Sequence, residues 1–334
     1  MTKENVCRSM NQLSERQSNR IQALRGLAIT AVVLIHNTPS GLAQVYCRPF
    51  INFSVGLFLF LSGMLSSAAR WNPKKRILKV LIPYIIWTFI YVILSNFSTP
   101  AQIPISYVKK VITAGAAAVM YYVFVYCEFV LLIPLIEKLA KSKYYWIGFL
   151  ISPLEIIIMK LLPLVMGYEI NKYIRIIMDV SCMGWFIYFY LGYLLGNGLL
   201  KIKIPISRII ISWVLSIGLQ ILEGYWYLSM GENNCGTQLK LTSIISGTLF
   251  VMLAYMYIQT SKKVWSPKIL LVLGDCSFGI FFSHLAVMRV LRLIPYYREY
   301  VFYPLNAIIA IGVSLICVTI GRKVLGKYSK YLAF

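Results

Sequence analysis

Long, mostly apolar runs recur along the chain from residue 21 onwards, separated by short clusters of Lys, Arg and other polar residues. A helix needs about twenty such residues to cross roughly 30 Å of hydrocarbon. Ten runs qualify: 21–38, 49–68, 77–96, 118–137, 144–163, 180–200, 205–223, 239–259, 269–291 and 301–321. The longest gaps between them are 97–117 and 224–238, and no internal repeat is evident. The pattern predicts an all-α integral membrane protein of about ten transmembrane helices. Residues 1–20 form a polar N-terminal segment, 21–321 a single membrane domain and 322–334 a tail.

Charge sets the orientation. Basic residues gather in the cytoplasmic loops of membrane proteins. With the N-terminus inside, every inner segment carries at least three of them: Lys3 to Arg25, Arg70 to Lys79, Lys138 to Lys143, Lys201 to Arg208, Lys262 to Lys268, and Arg322 to Lys330. An odd number of spans would scramble that alternation, so both termini are expected on the cytoplasmic side. One outer segment, Arg289 to Glu299, departs from the rule with three arginines. These suit either headgroup contact or an anionic or sugar-bearing acceptor.

Composition agrees with a lipid-covered surface. Apolar residues make up 59% of the 334 and charged ones only 13%, where a soluble domain carries roughly a quarter. The excess of 33 Lys and Arg over 11 Asp and Glu would suggest nucleic acid in a soluble protein. Here it falls between apolar runs, and no nucleic-acid partner is expected. The seven cysteines are scattered without a CxxC pair, so neither a metal site nor a disulfide framework is implied. The polar first twenty residues carry no signal-peptide pattern.

Ionisable side chains within spans are costly and mark functional sites. The chain has two histidines, His36 and His284, both inside predicted inward-to-outward spans at similar depth. That matched depth points to a shared polar site. Arg25 precedes His36 by eleven residues, about 16 Å of rise along a helix. Eleven steps of about 100° return within about 20° of the start, so the two side chains share one face.

These residues carry a resemblance. Arg25 to His36, within LRGLAITAVVLIHN, resembles the Arg/Lys-x10-His motif that opens the membrane-bound acyltransferase-3 family. VGLFLFLSGML (Val55 to Leu65) is similar to the family's Phe-rich run ending in Ser-Gly, here Ser62 and Gly63. KKRILKVLIPYIIW (Lys74 to Trp87) resembles its basic loop leading into a span, and GDCSFGIFFSHLAVM (Gly274 to Met288) its late Ser-Phe-Gly-Ile-His segment. The four stand in order over essentially the whole chain. The fourth span, MYYVFVYCEFVLLIPLI, departs from the family pattern; its acid, Glu128, is expected to pair with a buried cation or face a polar cavity.

The resemblance implies transfer of an acyl group, commonly acetyl, to a hydroxyl of an extracytoplasmic carbohydrate or glycolipid, in a multi-pass protein of the bacterial plasma membrane. Acetyl-CoA would be a co-substrate, with no permanently bound cofactor. Guanidinium and ammonium groups bind phosphate through charge-assisted bonds, so Arg25, Arg76 and Lys79 are the residues expected to hold the CoA moiety. His36 is the candidate general base, since a sugar hydroxyl needs one and imidazole titrates near working pH; a relay through an acyl-enzyme is the other route. His284 orients the acceptor or completes the pocket. Ser62 and Gly63 read as a close helix contact. No SGNH-type hydrolase domain follows, so direct acylation or hand-over to a separate protein is expected. The competing reading is a transporter or flippase of a polysaccharide precursor. Few intramembrane acids (Glu128, Glu155, Asp275) and no repeat argue against it.

Overall fold

The computed structural model describes residues 13–166, 180–261 and 267–334, apart from the side chain of Arg298. Lys3, Arg8, Lys262 and Lys263, invoked above, lie outside the described residues. Among the described residues every regular element is helical. Helix α1 (Glu15–Asn37) leads to a short α2 (Leu42–Cys47), a 3-10 turn at Arg48–Phe50 and α3 (Ser54–Met64). Then come α4 (Pro73–Ser95), α5 (Ile103–Thr113) and α6 (Tyr121–Ala140). A π turn at Ile157–Leu161 joins α7 (Ile151–Ile156) to α8 (Leu162–Met166). The rest are α9 (Phe186–Gly196), α10 (Ile206–Ser229), α11 (Leu241–Gln259), α12 (Lys268–Asp275), α13 (Ser277–Leu291), α14 (Tyr297–Tyr300) and α15 (Leu305–Leu325).

Five stretches are long and apolar enough to cross a membrane: Leu42–Met64, Pro73–Ser95, Ile206–Ser229, Leu241–Gln259 and Leu305–Leu332. A sixth counts if α12 and α13, which meet at 79°, form one broken span. The run 21–38 is helical as α1 but carries Arg25, with Arg20 just before it, and the run 118–137 is helical as α6 but carries Glu128. The run 144–163 is not one helix. It opens with a 3-10 turn at Tyr145–Phe149, and Pro153 and Pro163 bracket the π turn behind it, because proline withholds a ladder donor. Helix α5 lies in a gap the apolar pattern left empty. It is too short to span and has no buried residue, and Ile105, Val108 and Ile112 are exposed along one face. That is the build of a helix lying in the membrane interface.

Helix α1 is the hub, packing against α3, α11, α12, α13 and α15. Its Ile21, Leu24, Ala28 and Ala31 join one apolar core with α3, α9 and α11, whereas Ile29, Val32 and Val33 join a second with α4 and α13. The start of α1 is fixed by a capping box, in which Ser14 Oγ accepts from the Gln17 N–H (3.2 Å) and Gln17 Oε1 from the Ser14 N–H (3.1 Å). Arg20 is buried and donates to the carbonyls of Ile258 and Thr260 at the C-terminal end of α11, where a cation meets the negative end of the helix dipole.

Two helix pairs touch backbone to backbone. A Cβ at Gly192 or Gly196 of α9 would overlap the Phe60 or Met64 carbonyl of α3, and one at Gly63 the carbonyl of Phe189. Gly26 and Gly274 play the same part between α1 and α12, against the carbonyls of Leu270 and Gln22. Small residues allow such approach where water cannot drive association. Gly63 thus has the close-contact role expected of it. Facing outward, α10 exposes Ile211, Val214, Leu215, Leu219 and Leu222, and α15 exposes Ile308, Ile316 and Ile320, an apolar mantle suited to lipid.

Candidate functional site

His36 sits in the last turn of α1, whose C-terminal end is held by two side chains. Thr38 Oγ1 donates to the Leu34 carbonyl (2.9 Å), and Asn37 Nδ2 donates to the Val33 carbonyl (2.9 Å) and to Met288 Sδ (3.3 Å) of α13. His284, on α13, is fully buried. The structure brings the two imidazoles together, with ring centroids 5.5 Å apart and planes inclined by 46°. His284 Nδ1 lies 2.8 Å from the Ile280 carbonyl. A carbonyl only accepts, so Nδ1 carries the proton and Nε2 offers a lone pair. That Nε2 is buried with no partner in the protein, a cost that binding sites accept.

Tyr91 of α4 clamps the same turn. Its hydroxyl donates to the Phe282 carbonyl (2.7 Å) and accepts from the Ala286 N–H (3.1 Å). Those two backbone groups, on either side of His284, are ladder partners in a regular helix, and here a phenol bridges them.

His36 opens onto a cavity of about 790 Å³. Around it stand Arg48, Tyr121, Tyr122, Lys160, Trp185, Asn234 and Gln238. Segment 113–119 forms one wall and Asn234 to Leu239 another. Both come from the two longest gaps in the apolar pattern. The first enters the cavity because α5 ends on Ala114 in the left-handed conformation (φ 53°), with the free carbonyl of Val111 accepting from the Tyr84 hydroxyl (2.6 Å). The second is anchored by Lys240, whose buried ammonium donates to the carbonyls of Gln220 and Cys235 (both 3.2 Å). Glu223 accepts the first N–H groups of α11 beside it, from Leu241 (3.3 Å) and Thr242 (2.9 Å).

Of the other sequence-predicted residues, Arg25 lies on the first half of α1 and Arg76 and Lys79 on the first turns of α4. Arg25 lies within electrostatic reach of Tyr122, whose hydroxyl also interacts with Ser62. Arg76 donates to Ser66 Oγ (3.0 Å) and to the Tyr126 hydroxyl (3.4 Å), with its guanidinium 5.7 Å from the Tyr126 ring centroid. Tyr126 stacks on Tyr122 (6.5 Å, 26°). Arg76 thus meets a tyrosine pair that lies within the field of Arg25, and Tyr122 reaches from that pair into the wall of the histidine cavity. Lys79 stands apart, exposed on α4. Among the described residues Glu128 pairs with no cation and it does not line the cavity; it accepts the Cys182 N–H (2.7 Å). Arg289 donates to Ser95 Oγ (2.8 Å) at the surface.

Sequence reading missed Arg48, Tyr122, Lys160 and Trp185. A signal existed for Arg48, a cation in a predicted outer segment where few belong. None existed for Tyr122 among 24 tyrosines. Among the described residues no group of three or more His, Cys, Asp or Glu is arranged to hold a metal ion.

A family model described as an acyltransferase domain matches residues 18–322, nearly the whole chain. Neither the curated proteins nor the solved structures searched gave a match.

Proposed function

The chain belongs to the acyltransferase-3 family, and from that premise we propose that it O-acetylates an extracytoplasmic carbohydrate from cytoplasmic acetyl-CoA. In the membrane of a bacterial cell it would cross about ten times, both ends inside. Family membership makes the protein a membrane acyltransferase and favours acyl transfer over transport. The observation that carries the finer reading is His36 at the wall of a cavity large enough for a sugar, with His284 packed behind it.

In this reading Arg25 and Arg76 hold the phosphates of the donor around the Tyr122–Tyr126 pair, with Lys79 adding charge at the mouth. The acceptor enters the cavity. A ring nitrogen of His36 takes the proton of its hydroxyl as the oxygen attacks the thioester carbonyl. The C–S bond then breaks, and the CoA thiolate leaves and recovers a proton from the imidazolium. The fixed lone pair on His284 Nε2 accepts a hydrogen bond from the His36 ring or from the acceptor and orients whichever donates. General base catalysis of this kind contributes about 10²–10⁴-fold.

The test is His36→Ala expressed in the native host, with O-acetyl content of the surface polysaccharide compared with wild type at equal membrane abundance. Loss of about 10²-fold or more in acetyl transfer is expected. Unchanged acetylation would remove His36 from the reaction, and acetylation that survives deletion of the whole gene would return the transport reading.

A further inference from the structure

We propose that the molecule accepted in the histidine cavity is an anionic carbohydrate, one bearing a carboxylate or a phosphate, and that Arg48 selects it. This rests on the cavity being the acceptor site.

Arg48 begins the 3-10 turn Arg48–Phe50 and lines the cavity beside His36. Its Nη1 donates to Asn234 Oδ1 (2.7 Å) and its Nη2 to the Ile35 carbonyl (3.3 Å). Both acceptors are neutral. They aim the guanidinium without cancelling its charge. Its Nε is buried and has no partner. Among the described residues no carboxylate pairs with Arg48; Glu232 accepts the Asn234 N–H (3.3 Å) instead, and the titratable groups that act on Arg48 include His36, Cys235, Lys240 and Tyr303. None of those is an acid ionised at neutral pH.

The described lining of the cavity includes no Asp or Glu. A half-buried guanidinium without a counter-ion is expensive, and a carboxylate or phosphate meets its fork of donors with two parallel bonds. Tyr121 and Trp185 supply the rest of a sugar site. Both line the cavity, and their rings lie nearly parallel, 6.2 Å apart at 20°. Tyr121, backed by the buried Trp185, offers a flat apolar face to a pyranose, while Asn234 offers its amide. The phosphates of the donor are the other source of negative charge that Arg48 could meet.

The experiment measures equilibrium binding to the purified full chain in lipid nanodiscs. The probes are cellobiose, its uronic counterpart cellobiouronate, cellobiose 6′-phosphate and CoA, each tested with wild type, Arg48→Gln and Arg48→Lys. Wild type should bind one or both charged disaccharides about tenfold or more tighter than cellobiose, a margin within reach of a charged bidentate contact. Which of the two binds tighter separates carboxylate from phosphate. Arg48→Gln should lose the margin and Arg48→Lys keep part of it, with CoA affinity unchanged in both.

Equal binding of all three disaccharides by wild type, or binding of none, overturns the proposal without recourse to any variant. It is also overturned if Arg48→Gln weakens CoA and spares the disaccharides, which would give Arg48 to the donor. Binding does not depend on turnover. A charged preference without acyl transfer would refute the enzymatic reading alone, and acetylation of a neutral glycan untouched by Arg48→Gln would refute this inference alone.

Discussion

Tyr91 is bound to His284 through the backbone rather than through the ring. Tyr91→Phe keeps the aromatic volume and removes the bridge between Phe282 and Ala286. A buried carbonyl stripped of its donor costs about 1–3 kcal/mol, and a small rotation of the turn would carry the imidazole away from His36. The expected outcome is a kcat lowered by roughly tenfold with the KM for acyl-CoA unchanged, the signature of an interaction that matters to the transition state. Steady-state kinetics on the purified variant would show it. Arg76→Ala should do the reverse, raising the KM for acyl-CoA roughly tenfold through loss of a charged contact worth about 1.5–3 kcal/mol; an unchanged KM would release Arg76 from the donor. The histidines were legible because they are two in 334 residues and both sit in apolar runs. Arg48 and Tyr122 were not. Their positions in the site follow from contacts that no local spacing encodes, such as Arg48 with Asn234, far along the chain.

Among the elements, the glycine contacts separate what is specific from what is merely apolar. Gly192→Ala would force a methyl group into the Phe60 carbonyl. Overpacking of this kind costs about 1–3 kcal/mol, and here the obstacle is backbone. A lower melting temperature and a smaller monodisperse fraction on size exclusion are expected. Gly218→Ala on α10, where a Cβ meets nothing within 4 Å, should leave both unchanged and serves as the control. The long apolar runs read well as helices α4, α10, α11 and α15, since length and hydropathy decide a helix in lipid. The pattern is silent about the interruptions. It did not show that 144–163 breaks into short pieces, that 269–291 bends at Cys276, or that residues 103–113 form a helix of their own. Each depends on satisfying backbone groups through partners elsewhere, as Tyr84 does for the end of α5.

For the molecule as a whole, placing both termini on one face is a claim that reporters can test. A green fluorescent protein joined after Phe334 should fluoresce, and alkaline phosphatase at the same point should be inactive; the opposite pair of results would invert the orientation and move the histidine cavity to the other side. One consequence concerns mechanics. The glycine contacts weld α12 to α1, and the elbow at Cys276 turns the chain so that α13 returns against the same helix. The two imidazoles thus sit on helices packed directly against each other. On the proposed function, a gate that admits the acceptor and shuts out water would lie in segment 113–119 and the Asn234 to Leu239 wall, away from that packed unit.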